Sequence, residues 1–180
     1  MPEIVVAHYR ENLSWLEKVN NARVTIYSKG GGGKNPLPNV GREAHTYLHH
    51  IVHRYDSLAP CTIFCQGHPS PHVQDYVTAF SKNYEGFKEL GWWAVEDDCQ
   101  GRPHHPGLPL EACCLAILGD PGPEMFQFRA GAIFAADDKT IRAHSLDFWK
   151  RALDYSVREP LAPWCLERAW PFIFSCPSAS

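Results

Sequence analysis

Residues 4–27 read IVVAHYRENLSWLEKVNNARVTIY, and the reading of this stretch decides the fold. Ile4 to Ala7 is a short continuous apolar run, the pattern of a strand buried on both faces. Asn12 suits the N-cap of a helix that carries Leu13, Leu16 and Val19 on one side. Val24 to Tyr27 is a second run rich in β-branched and aromatic residues. Strand, helix and strand in so short a span predict a βαβ unit and a parallel sheet. The expected architecture is α/β: a single doubly wound, mostly parallel sheet flanked by helices, with residues 1–180 forming one domain.

Outward from this unit, Lys29 to Pro38 holds four consecutive glycines and two prolines and predicts a loop. It is not a phosphate-binding P-loop, because Lys34 is followed by Asn35-Pro36 rather than Ser or Thr opening a helix. Val40, Ala44, Leu48, Ile51 and Tyr55 recur at helical spacing, so Gly41 to Tyr55 is read as a helix with one buried face. Thr62-Ile63-Phe64 is a third strand. Ser70-Pro71 is a cap and first-turn pair, and it predicts a helix running to about Glu89 with Val73, Val77, Phe80, Tyr84 and Phe87 inward. Trp92 to Val95 reads as a strand and Glu96 to Pro109 as a polar loop, followed by a short helix with Leu115 and Leu118. Phe126, Phe128 and Ala130 alternate with polar residues, and Gly131 to Ala135 is read as the same strand continuing into the core. Asp137 or Asp138 caps a brief helix, and Ser145 a longer one. The Trp164 to Phe174 segment is helical at its start and apolar enough to dock.

Composition narrows the function classes. With 44% hydrophobic residues the 180-residue chain can bury one continuous core. Its net charge of −3 and the lack of a basic stripe argue against nucleic acid as a partner. No apolar run approaches the roughly 18 residues that span a bilayer, so no membrane partner is expected either. The seven cysteines are odd in number and lack paired zinc spacing. Cys61 and Cys65 would share one face of a strand, and Cys113 and Cys114 are adjacent. Reduced thiols and a cytoplasmic location are expected.

In open α/β sheets, ligands bind beyond the carboxyl ends of the strands. That rule nominates His8 to Glu11, Ser28-Lys29 and Gln66 to His72 as segments that converge on a small-molecule substrate. His68, His8 and Glu43 are the candidates for acid–base work, because imidazole and carboxyl groups exchange protons near neutral pH. Gln66, Gly67, Lys29, Arg10 and Arg42 are the candidate binding groups. Arg42 lies in a first helical turn, where free N–H groups already favour anions. Asp97 and Asp98 with His104 form a candidate site for a divalent metal such as Mn or Mg. His45, His49 and His53, at steps of four with His50 alongside, form an imidazole stripe that falls away from the helix's apolar face. Its plain reading is a solvated surface, with a metal as the alternative.

Several phrases in order carry a resemblance. They are Val5 to Leu16, Asn39 to Leu48, Phe64-Cys65-Gln66-Gly67-His68-Pro69, Gly131 to Ala135 and Leu166-Glu167-Arg168-Ala169-Trp170. Together they resemble the fungal and bacterial family catalogued as domain of unknown function 3431. The resemblance implies a fold similar to the A-type nucleotide-sugar glycosyltransferases. Those enzymes end a central strand in an Asp-x-Asp motif that holds metal and sugar diphosphate. Here the comparable strand ends in Gln66-Gly67-His68, and Asp97-Asp98 is the available substitute. Three functions therefore stand as expectations. The first is a glycosyltransferase-like enzyme using a phosphorylated or nucleotide-sugar donor. The second is a small biosynthetic enzyme (cyclase, isomerase or hydrolase) working by His/Glu acid–base catalysis without nucleotide. The third is a metal-binding or non-catalytic domain.

Overall fold

The computed structural model describes residues 1–175. Its strands are β1 (Glu3–His8), β2 (Arg23–Ser28), β3 (Cys61–Gln66), β4 (Phe87–Glu89), β5 (Ala94–Asp98), β6 (Met125–Arg129) and β7 (Phe134–Asp137). Its helices are α1 (Arg42–Arg54), α2 (Tyr76–Phe80), α3 (Leu110–Leu118), α4 (Asp138–Arg142), α5 (Leu146–Arg158) and α6 (Ala162–Ser175). Five strands form a mixed sheet in the order β2-β1-β3-β7-β4, and β5 and β6 form a separate antiparallel pair. The protein is thus an α/β fold with helices on both faces of its main sheet.

The first strand behaves as its composition predicts. Ile4, Val5 and Val6 are fully buried because the sheet is covered on both sides. Val5 and Phe64 point into a large core with α1, α5 and α6, whereas Ile4, Val6, Ile63 and Cys65 join Trp15 and Phe80 on the other face. Cys61 and Cys65 do share a face, and both are free thiols. On α1, Ala44, Leu48 and Ile51 are buried as their spacing requires. Ser145 caps α5 by accepting from the Phe148 amide, and Asp137 caps α4 by accepting from Thr140. Among the described residues no helix is long and apolar enough to cross a membrane.

Five expectations are corrected. The sheet is mixed rather than mostly parallel: β7 enters antiparallel between β3 and β4. The connection between β1 and β2 is a single 3-10 stretch at Ser14–Lys18, and Asn12 caps a turn there by accepting from the Ser14 amide. The helix read from Ser70 to Glu89 is only α2, capped by Asp75, and Phe87 belongs to β4. Gly86 turns the chain between them with φ of 69°, its amide held by Asp137. The strand read through Phe126 to Ala135 is two strands in two sheets. Gly131 (φ 106°) and Ala132 (φ 50°) break it in backbone conformations no strand adopts. Finally, the imidazole stripe is a solvated surface only at its far end: His53 is exposed and His49 half-buried, whereas His45 and the neighbouring His50 are buried.

Candidate functional site

β1, β2 and β3 end together, because Ala7 is in register with Gln66 and His8 with Ser28. Just beyond these carboxyl ends lies a cavity of about 270 Å³ lined by His8, Glu11, Lys29, Asn39, Arg42, Glu43 and Gln66, with Ala7 and Tyr9. The segments nominated after the three strands do converge at their first residues.

Each wall is held by local structure. Lys29 follows β2 and is buried, its Nζ donating to the carbonyls of Val40 and Arg42. Those bonds tie the segment leading into α1 to the end of the sheet. An ammonium has three protons, so one is left for a ligand. Burial pushes the Lys29 ammonium down to about 8, with the Glu43 carboxylate opposing. At about 8 it is still mostly charged at neutral pH. Glu43, in the first turn of α1, has its carboxyl pushed up by burial and by Glu167, against its own backbone N–H and Arg42. Arg42 Nε lies 3.5 Å from Glu43 Oε2, and the guanidinium stands 5.2 Å from the centre of the Trp164 ring. The Arg42 side chain is 58% exposed, so it is free to meet a ligand.

His8 has both nitrogens engaged. Nε2 lies 3.2 Å from the Glu11 carbonyl and Nδ1 3.3 Å from Ser28 Oγ. A carbonyl only accepts, so Nε2 carries the proton and Nδ1 accepts from the serine. This tautomer makes His8 a positioned wall rather than a free base. Glu11 folds its carboxylate back onto the Tyr9 and Arg10 amides, at 2.7 and 3.1 Å. It also packs on Gly67, where an added Cβ would come within 2.5 Å of it. Gln66 Nε2 donates to the Gly131 carbonyl at 2.6 Å, and the Gly131 amide donates to Glu167 Oε1 at 2.6 Å.

The remaining candidates lie elsewhere. Gly67 turns away and accepts from Trp15 Nε1 at 2.8 Å. His68 is exposed, 2.8 Å from Ser70 Oγ, in a separate shallow pocket of about 210 Å³ beside Trp15 and Tyr76. Arg10 is exposed, its guanidinium 4.9 Å from the centre of the Tyr9 ring. Asp97 and Asp98 are neighbours on β5, so they face opposite sides. Asp97 is fully buried, its Oδ1 accepting from the His104 amide and ring and its Oδ2 from Arg168. Asp98 accepts from the Gln100 and Arg102 amides and from Arg102 Nε. This pair does not fit a shared divalent ion. Among the described residues no group of three His, Cys, Asp or Glu side chains is placed to hold one.

Three participants lie outside the candidates named from sequence. Asn39 opens a phrase of the family resemblance, but nothing in its residue type marks it as part of a site. Gly131 and Glu167 belong to phrases of the family resemblance, yet nothing local ties either to Gln66. Residues 4–99 match the family described as protein of unknown function (DUF3431). This is more than half of the chain, and the chain belongs to that family. No curated protein and no solved structure matches it.

Proposed function

We propose that this member of the family is a small-molecule enzyme working by acid–base catalysis without a nucleotide. Glu43 carries the proton, while Arg42 and the free amides of α1 hold an anionic group of the substrate. One observation supports this above the others. Glu43 is a carboxyl with a raised pKa, at a cavity that also presents Lys29 and Arg42. A carboxyl tuned upward is better suited to giving and taking a proton than one with the usual acidity. The reaction class that fits is proton transfer within the substrate, as in isomerisation or cyclisation.

Size favours the same reading. Pockets for drug-sized ligands run from about 300 to 1,000 Å³, and this one, at about 270 Å³, suits a monosaccharide-sized molecule. A nucleotide-sugar would project far beyond it. The transferase reading, with its A-type glycosyltransferase fold, is supported by Arg42 at a helix start beyond parallel strand ends, a place suited to phosphate.

A metabolite extract incubated with the wild type and with Glu43→Gln, compared by mass spectrometry, tests the proposal. Compounds consumed by the wild type alone are expected. Equal turnover by both proteins would end the acid–base role of Glu43. Stabilisation by nucleotide-sugars with Mn²⁺, and not by small anions, would favour the transferase instead.

A further inference from the structure

The hydrogen bonds behind Gln66 orient its side-chain amide. Gly131 donates its amide to Glu167 Oε1 and presents its carbonyl to Gln66, both at 2.6 Å. A carbonyl oxygen can only accept, so the nitrogen end of the Gln66 amide must face it. The turn that makes this possible requires glycine. Its φ is 106°, and an added Cβ would lie 2.4 Å from the His72 ring. One Nε2 proton is committed to Gly131, and Oε1, which receives no hydrogen bond from the described residues, is the acceptor Gln66 has to offer at the cavity.

The cavity therefore combines an acceptor at Gln66 with cations at Arg42 and Lys29. A ligand that satisfies both must donate a proton at one end and carry negative charge at the other. A hydroxyl supplies that proton without placing a further positive charge beside Arg42 and Lys29. We infer that the site takes a hydroxyl-bearing anion of monosaccharide size, a sugar acid or sugar phosphate, whose hydroxyl donates to Gln66 Oε1. Glu167, through Gly131, is the residue that positions Gln66. The inference rests on the reading of this cavity as the substrate site.

Matched pairs of anions test it by isothermal titration: gluconate against hexanoate for a carboxylate, and glucose 6-phosphate against hexyl phosphate for a phosphate. In at least one pair the hydroxylated member should bind tenfold tighter or better, and the pair that does so identifies the anion. Gln66→Met should bring that pair to within about twofold, because a site built for a hydroxyl loses discrimination when its partner is removed. Glu167→Ala should weaken the preference, read as the ratio within the pair because the lost charge acts on both anions alike, which tests the relay even if Gln66→Met folds poorly. Equal binding within both pairs overturns the inference and leaves an anion site standing, as does a preference that survives Gln66→Met. If no anion binds at all, the inference and the reading of the cavity fall together.

Discussion

Asp97, near the end of β5, and Glu43, in the first turn of α1, are both carboxyls largely withdrawn from water. Burial pushes the pKa of each upward. At Asp97 the bonds from His104 and from Arg168 overcome that push, and its carboxyl sits below the usual range. At Glu43 burial wins, because Arg42 approaches no closer than 3.5 Å and Glu167 adds a like charge. One region is closed, with partners for both oxygens, and the other is left partly open. A buried charge whose partners are complete is structure, whereas one left short of partners is available to a ligand.

The closed region should respond most to mutation. Asp97→Ala strands the buried Arg168 guanidinium, and breaking a buried pair from one side costs about 3–5 kcal/mol. For a chain of this size that corresponds to a fall in melting temperature of roughly 10 °C. Asp97→Leu combined with Arg168→Met should recover most of the loss, since a well-packed apolar pair can replace a buried ion pair. A large fall in activity at unchanged melting temperature would instead make Asp97 part of the chemistry. Glu43→Gln should behave oppositely. Turnover should drop by about 10² to 10⁴-fold, as for the loss of a general acid or base. A carboxyl with a raised folded-state pKa contributes stability at low pH that is lost as pH rises through that value. At pH 8, therefore, the glutamine variant should melt no lower than the wild type.

The open region was more legible in sequence than the closed one, for a physical reason. The ends of β1, β2 and β3 converge because strand-end geometry is a rule of the fold class, so His8, Lys29 and Gln66 followed from finding the strands. Asp97's partner Arg168 lies 71 residues away on α6, and no local pattern announces it. Glu167 is hidden in the same way, reaching Gln66 only through Gly131. The helix read through Val73, Val77, Phe80, Tyr84 and Phe87 failed because apolar spacing cannot distinguish a helix from a short helix, a glycine turn and a strand. Gly86 and Gly131 were the visible signals of both breaks, and each stands where φ is positive.

His45 lies between the two cases. It is buried, and its Nδ1 has no hydrogen-bond partner. Burial above all, and then the nearby Lys29, depress it to about 4. A group depressed in the folded state contributes stability above its unfolded pKa, near 6.5 for histidine, and loses it as pH falls towards 4. At pH 5 the loss from this one imidazole is roughly 2 kcal/mol. Melting temperature followed from pH 7 to 5 should show it, and His45→Gln should make the slope shallower, His49 and His50, also depressed to about 4 by burial, supplying the rest. An unchanged slope would mean that His45 gains a partner on protonation and belongs with the closed region.

Arg42 should give the smallest change in stability, and it separates the two regions by the sign of that change. It opens α1 with φ of 46°, directly after Gly41 at 58°. A left-handed conformation costs an L-residue about 1–2 kcal/mol relative to the right-handed one, and glycine adopts it freely. Arg42→Gly relieves that strain and loses the contact with Trp164, itself about 0.5–1 kcal/mol at an exposed site. The two terms nearly cancel, so the melting temperature should stay level or rise slightly. Affinity for the small anions should meanwhile fall at least tenfold, since the guanidinium is the most exposed cation at the cavity. That combination is the mark of strain kept for a site. A clear loss of stability with anion binding intact would place Arg42 alongside Arg168, as a residue held for the fold.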